Sequence, residues 1–309
     1  MSLILFLSPH LDDAVFSCGA RILREREAGH RVVVATIFSR GGSDRRSVSI
    51  YLERRAEDEK ALRKFGAEPL WLDLADAPFR NVYYRSFREI VLGWSPKDRL
   101  VISKLGSTLD ETVRKIKPER MYWPLAVGTH IDHRLTFRAA LAFANSAAET
   151  IFYEDRPYAL VRGAVRLRLK QIEADVEESR LAADFEDGDL AELRERFCKS
   201  FRKAPYVQRY LPPGLEGEIC VQRISHCLSS HRRPRLWTAD PEVEIADDCC
   251  ARTVLQAVRC YRTQIDDFFG GAEGWRVSSR EYARALRFAT APLVERYWRL
   301  EPKPKPRSH

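Results

Sequence analysis

The sequence predicts an α/β fold, a three-layer Rossmann-like arrangement around a mostly parallel sheet, with a helical C-terminal extension. Two observations carry this expectation. Short apolar runs alternate with helical stretches of ten to fifteen residues through the first half of the chain, the rhythm of βαβ units. After about residue 160 the rhythm changes to long, charged, helical segments without a clear strand between them.

Leu3-Ile4-Leu5-Phe6-Leu7-Ser8 is wholly apolar up to its last residue, as an interior parallel strand covered on both faces requires, and Pro9 ends it. A helical pattern follows from about Asp13 to Ala28, with Val15, Cys18, Ile22 and Leu23 on one side, and Gly29 closes it. Residues 31–38 read as the second strand, and 51–65 as a charged amphipathic helix stopped by Gly66. Strand character resumes over 69–74, then helix 108–116, strand 120–123, helix 133–147 and strand 150–153. Residues 1–155 therefore form the expected catalytic core. Residues 156–300 read as a mainly helical part that completes or covers a pocket, with helices at 161–184, 190–201, 251–269 and 279–299 broken by Pro212-Pro213-Gly214 and Gly270-Gly271. Residues 301–309, with three prolines, read as a disordered tail.

Composition narrows the class. A chain of 309 residues, 45% hydrophobic, can bury a large core. It has no apolar run of the eighteen or so residues a spanning helix needs and no secretory signal pattern, so a cytoplasmic protein without a membrane span is expected. Cys18, Cys198, Cys220, Cys227, Cys249, Cys250 and Cys260 form no C-x-x-C pair and are odd in number, which argues against a structural zinc site and a disulfide framework. The net charge of +8 is spread along the chain; nucleic-acid binding would need a recognisable module, and none is found. The first strand is not followed by G-x-G-x-x-G, which disfavours a dinucleotide.

Two motifs carry chemistry. Pro9-His10-Leu11-Asp12-Asp13 lies where the first strand hands over to its helix, and Gly128-Thr129-His130-Ile131-Asp132-His133 lies after a later strand and opens another helix. In an open α/β sheet ligands bind outside the carboxyl ends of the strands, so both turns fall where a site belongs. His10 and Asp13, three apart on a tight turn, can converge on one cation, His133 can supply a third ligand, and Asp12 is left free beside the site. Two histidines and one carboxylate with an open fourth position form one of the sets used by catalytic zinc. The blander alternative is that the paired aspartates only cap a helix.

At these residues the chain resembles the PIG-L/LmbE-type N-deacetylases, whose hallmarks are His-Pro-Asp-Asp after the first strand and a later His-Pro-Asp-His. The resemblance implies zinc bound by His10, Asp13 and His133, Asp12 as general base, and His130 stabilising an oxyanion or protonating the leaving amine. Arg54-x-x-Glu57, followed by Ala61 and Phe65-Gly66, is similar to the family's Arg-x-x-Glu helix and makes Arg54 a catalytic candidate; Ala257-x-x-x-Tyr261-x-Thr263-Gln264 is similar to its C-terminal element. Asp132 and Arg40 are candidate substrate contacts. Leu11 and Ile131 replace the usual prolines, and Ala14 stands where a glutamate commonly follows. The implied reaction is zinc-dependent removal of an N-acyl group, typically N-acetyl, from an amino-sugar or glycoconjugate substrate. Two rivals are a zinc amidase acting on a thiol conjugate or glycopeptide, and a metal-binding module without activity.

Overall fold

The structure, a computed structural model, describes residues 1–143, 147–177, 189–229 and 237–303. In chain order the first half runs β1 (Leu3–Ser8), α1 (Asp13–Glu27), β2 (Arg31–Thr36), α2 (Arg45–Arg63), β3 (Glu68–Trp71), α3 (Ala77–Arg80), α4 (Phe87–Leu92), α5 (Asp98–Ile116), β4 (Arg120–Pro124), α6 (Ile131–Phe143) and β5 (Glu149–Tyr153). The second half follows as α7 (Ala164–Gln171), β6 (Ala174–Asp175), α8 (Leu190–Lys203), α9 (Pro205–Tyr210), α10 (Gly214–Ser229), β7 (Trp237–Ala246), α11 (Asp248–Val258), α12 (Ile265–Phe269), α13 (Ala272–Ala285) and β8 (Leu293–Pro302). One eight-stranded sheet has the order β3-β2-β1-β4-β5-β8-β7-β6. Strands β1 to β5 pair in parallel, and β8 runs antiparallel to both β5 and β7.

Period-two alternation divides each central strand between two cores. Leu5, Leu7, Val33 and Ala35 face the layer that contains α5 and α6, through Leu105, Leu109 and Leu135. Ile4, Phe6, Val32 and Val34 face the layer of α1, α2 and α11, through Val15, Leu62 and Val254. This two-sided burial is why β1 reads as an unbroken apolar run. Phe6 stacks on Tyr122 of β4 with ring centroids 4.4 Å apart, locking the β1–β4 register at the centre of the sheet.

The C-terminal half departs from the expected pattern. The helix expected over 279–299 ends at Ala285, and Leu293–Pro302 is instead a ten-residue strand, as is Trp237–Ala246, where no strand was expected. Charge hides both from an apolar-run reading: Glu242 and Glu244 of β7 pair with Arg21 of α1 at 2.5 and 2.9 Å, and Arg296 of β8 pairs with Glu154 at 2.5 Å. Buried Glu295 of β8 answers a break in α1. Cys18 has non-helical torsions there, and Glu295 accepts the backbone N–H of Ala20 and Arg21 at 2.8 and 3.0 Å. The expected helix over 161–184 stops at Gln171 and passes into β6; its remainder beyond 177 lies outside the described residues, as do 304–309 of the expected tail. The span 251–269 is two helices, broken by a turn around Tyr261. In the first half α2 and α5 start earlier than expected, at Arg45 and Asp98, Asp44 capping α2 through Ser47 N–H at 3.0 Å.

Strand order reverses at β1: β2 and β3 lie to one side, β4 and β5 to the other. The turns leaving β1 and β4 therefore sit side by side at the switch point, the place where open α/β sheets bind ligands.

Candidate metal centre

The β1–α1 turn is rigid for local reasons. Ser8 Oγ donates to the His10 carbonyl at 2.6 Å and accepts from Ala14 N–H at 3.0 Å, while Asp13 Oδ2 accepts from His10 N–H at 2.8 Å. Asp12 occupies the N-cap position of α1 yet makes no capping bond, so the simple capping alternative fails for it; its Oδ2 is buried without a hydrogen-bond partner. After β4, Thr129 adopts φ 59°, and a Cβ on Gly128 would lie 2.2 Å from the Tyr158 ring, so only glycine lets this loop pass that side chain on its way into α6.

These turns bring His10, Asp13 and His133 together, one ligand atom from each lying within 4.8 Å of the others. Asp13 Oδ2 is 3.2 Å from His10 Nδ1 and 3.2 Å from His133 Nε2. Ligands about 2.0–2.2 Å from a tetrahedral ion lie roughly 3.3 Å apart, so these edges fit a zinc-sized cation. The far nitrogen of each imidazole meets a buried carboxylate. His133 Nδ1 lies 2.6 Å from Asp155 Oδ1, and His10 Nε2 lies 3.2 Å from Asp132 Oδ2. Such outer carboxylates fix the tautomer that turns a bare nitrogen toward a metal. His133 Nε2 is buried and has no hydrogen-bond partner. The donor set therefore fits a divalent ion.

The charges respond to one another. Burial, reinforced by the Asp13 charge, pushes Asp12 up to about 7, although His10, Arg54 and His133 pull it down. Burial disfavours charge on Asp13, but His133 and His10 outweigh it and hold its carboxyl well below the usual range. Burial likewise opposes charge on His133, while Asp13 and Asp155 lift it to about 9. Burial and the neighbouring His10 drive His130 down to about 3, leaving it a neutral ring.

The other expected site residues separate. Arg54 lines the cavity above the centre, its guanidinium 5.2 Å from the Tyr51 ring and its buried Nε without a partner. Asp132 is fully buried, lies 2.7 Å from Arg80 Nη2 and accepts Ala77 N–H at 3.0 Å; it stands behind His10 and is not among the residues that line the cavity. Arg40 is exposed, donates from Nε to the Asp73 carbonyl at 3.2 Å and is not among the residues that line the cavity. Two carboxylates beside these histidines carry no reading from the sequence, Asp76 next to His10 and Asp155 next to His133. Asp155 follows β5 by two residues, so an acid at a strand's carboxyl end was the available signal. Glu57 accepts from Thr263 N–H and Oγ at 3.2 and 2.7 Å, and Asp58 from the Tyr261 hydroxyl at 2.8 Å, so α2 and the 257–264 element interlock.

The cavity over the centre measures about 550 Å³, in the range of clefts that enclose a small-molecule ligand. Its wall combines His10, Asp12, Asp13, Asp76 and His130 with Tyr84, Phe87 and Tyr158, and the C-terminal half supplies Tyr206, Tyr210, Gln264 and Phe268.

The model of the family described as "PIG-L: GlcNAc-PI de-N-acetylase" matches residues 5–144. The 2'-N-acetylparomamine deacetylase of Streptomyces fradiae is 31% identical over 246 residues, spanning 76% of this chain and 80% of that protein. The chain belongs to the PIG-L family. It is a metal-dependent N-deacetylase, a hydrolase. Among solved structures, a deacetylase of teicoplanin biosynthesis in complex with bog superposes with a TM-score of 0.67 at 18% identity, covering 99% of this chain and 100% of that one. The zinc-inhibited form of teicoplanin deacetylase Orf2 gives 0.66 at 19% identity with the same coverage. Both share the fold. Among the described residues no helix is long and apolar enough to cross a membrane.

Proposed function

We propose that this PIG-L deacetylase removes the N-acetyl group of an amino sugar, using zinc held by His10 Nδ1, Asp13 and His133 Nε2. The observation that carries the reading is the pair of imidazoles whose outer nitrogens rest on Asp132 and Asp155 while their inner nitrogens converge on Asp13 Oδ2. Zinc in this set supplies Lewis acidity toward the acyl carbonyl and acidifies a water.

The chain's own groups do the rest. Asp12, which lines the cavity and has an unpartnered buried oxygen, accepts the proton of the attacking water and returns it to the departing amine. His130 Nδ1 accepts the Asp132 N–H at 3.2 Å, which leaves the ring proton on Nε2. A neutral ring fixed in that tautomer donates a hydrogen bond to the developing oxyanion and is a poor source of a proton, so amine protonation falls to Asp12. Arg54 steadies the negative charge of Asp12. The aromatic residues from both halves of the chain receive the sugar faces, and residues 156–300 act as the part that completes the pocket.

Support for an amino-sugar substrate comes from the Streptomyces fradiae relative, which acts on 2'-N-acetylparomamine. The test is release of acetate by zinc-loaded protein from 2'-N-acetylparomamine and from simple N-acetylglucosamine glycosides. Acetate from at least one, lost in Asp12→Asn, is expected. No acetate from a panel of N-acetylated amino sugars, with metal bound, would overturn the substrate class.

A further inference from the structure

His10 presents two edges to the cavity. Its Nδ1 faces Asp13; its Nε2 lies 3.2 Å from Asp132 Oδ2 and 3.6 Å from Asp76 Oδ1. On this second side His10, Asp76 and His130 bring one ligand atom each within 4.8 Å of one another, and all three line the cavity. Asp76 is held firmly: its Oδ2 accepts the Tyr51 hydroxyl at 2.5 Å and its N–H donates to the Arg40 carbonyl at 2.9 Å. Its Oδ1 is buried with no hydrogen-bond partner. A fixed carboxylate oxygen without a donor, facing two imidazoles, is an arrangement that a cation relieves. The 3.6 Å separation is close to the roughly 3.3 Å edge of a tetrahedral site.

We propose that His10 Nε2, Asp76 and His130 form a second divalent-cation site, weaker than the first and sharing His10 with it. The inference rests on the assignment of the first ion to His10, Asp13 and His133. Three features weaken the second site. An ion there takes His10 Nε2 away from Asp132, whose remaining partners are Arg80 and the Ala77 N–H. It also requires the His130 ring to give up either the proton on Nε2 or the Asp132 N–H bond at Nδ1. Finally, one imidazole has a single lone pair when neutral, so His10 serves both ions at once only as an imidazolate. The second ion would occupy the cavity beside Asp12, where substrate must sit, so filling it blocks hydrolysis.

The test is zinc uptake by the full-length, metal-free protein, measured by equilibrium dialysis with elemental analysis. Wild type is expected to take up one ion tightly and a second more weakly, with acetate release falling as the second is filled. Asp76→Asn and, independently, His130→Gln should each lose the second ion and keep the first, with melting curves verifying that each variant is folded. His133→Ala should lose the tight ion and keep the weaker one. Saturation of wild type at one ion in millimolar zinc overturns the second site and leaves the first assignment standing, as does a second ion that persists unchanged in both Asp76→Asn and His130→Gln. A tight ion kept by His133→Ala but lost by Asp76→Asn would overturn the first assignment, and this inference with it.

Discussion

Replacing Asp155 with asparagine tests whether the outer carboxylates govern the proposed metal centre. Asp155 spends one oxygen on His133 Nδ1 at 2.6 Å and the other on Val127 N–H at 3.1 Å, and it is fully buried. Asparagine has one acceptor and one donor where both partners call for acceptors. If its oxygen stays with Val127, its amide donates to His133 Nδ1, and the ring proton moves to Nε2, the nitrogen facing Asp13 at 3.2 Å. Loss of such an outer partner typically weakens metal affinity 10- to 100-fold, about 1.4–2.7 kcal/mol. If the amide flips, it meets the Val127 N–H head on, and a buried unsatisfied donor costs about 1–3 kcal/mol of stability. One of the two penalties is unavoidable. Chelator competition gives the metal affinity, and denaturant unfolding of the metal-free protein gives the stability. Asp155→Asn with metal affinity within about twofold of wild type, and with unchanged metal-free stability, would refute the reasoning.

Asp12→Asn should keep its metal and lose about 10²- to 10⁴-fold in kcat, the usual span of general-base catalysis; near wild-type turnover with metal retained would remove Asp12 from that role. Glu295→Ala should cost about 2–6 kcal/mol, since it strands the Ala20 and Arg21 N–H groups at the kink of α1, and a loss under about 0.5 kcal/mol in urea unfolding would show that water satisfies them. Burial pushes Asp58 up to about 7 against the hydrogen bonds from Trp71 and Tyr261. Between about pH 4 and pH 7 the folded state therefore holds a proton that the unfolded chain has released, and stability falls as pH rises through that window, by about 1.4 kcal/mol per unit at most. Unfolding free energies of Asp58→Asn, which cannot titrate, should lack that slope; parallel pH curves for the two proteins would contradict the assignment.

What the sequence reveals depends on whether a feature is written locally. The strand β1 and the two turns that carry the candidate ligands are legible because two-sided burial demands a continuous apolar run and the candidate ligands follow a strand within a few residues. The strands β7 and β8 are not, since their environment is built by distant partners. Glu242 and Glu244 look like surface acids until Arg21 of α1 arrives, and Glu295 looks helical until the break at Cys18 supplies two free N–H groups. Within the second motif, adjacency misleads about direction. His130 lines the cavity and His133 turns to Asp13, whereas Asp132 between them turns back toward Arg80 and Ala77. Asp76 and Asp155 each serve histidines far away in the chain, so nothing in their own neighbourhood marks them beyond their position after a strand.

The charge balance around the site gives this placement its physical sense. Asp12, Asp13, Asp76, Asp132 and Asp155 gather around His10, His130 and His133, with Arg54 and Arg80 as the nearby guanidinium groups. Arg80 is committed to Asp132 and, through its guanidinium 5.1 Å from the Phe38 ring, to the wall. Buried carboxylates in such excess must recruit positive charge, and without metal the available source is protons: Asp12 is pushed up toward neutrality, and His133 is lifted to about 9. A divalent ion held by His10, Asp13 and His133 would take the place of the proton on His133 Nε2, the nitrogen facing Asp13. An ion in that set would draw Asp12 further toward its ionised form, in the same direction as the neighbouring charges of His10, Arg54 and His133.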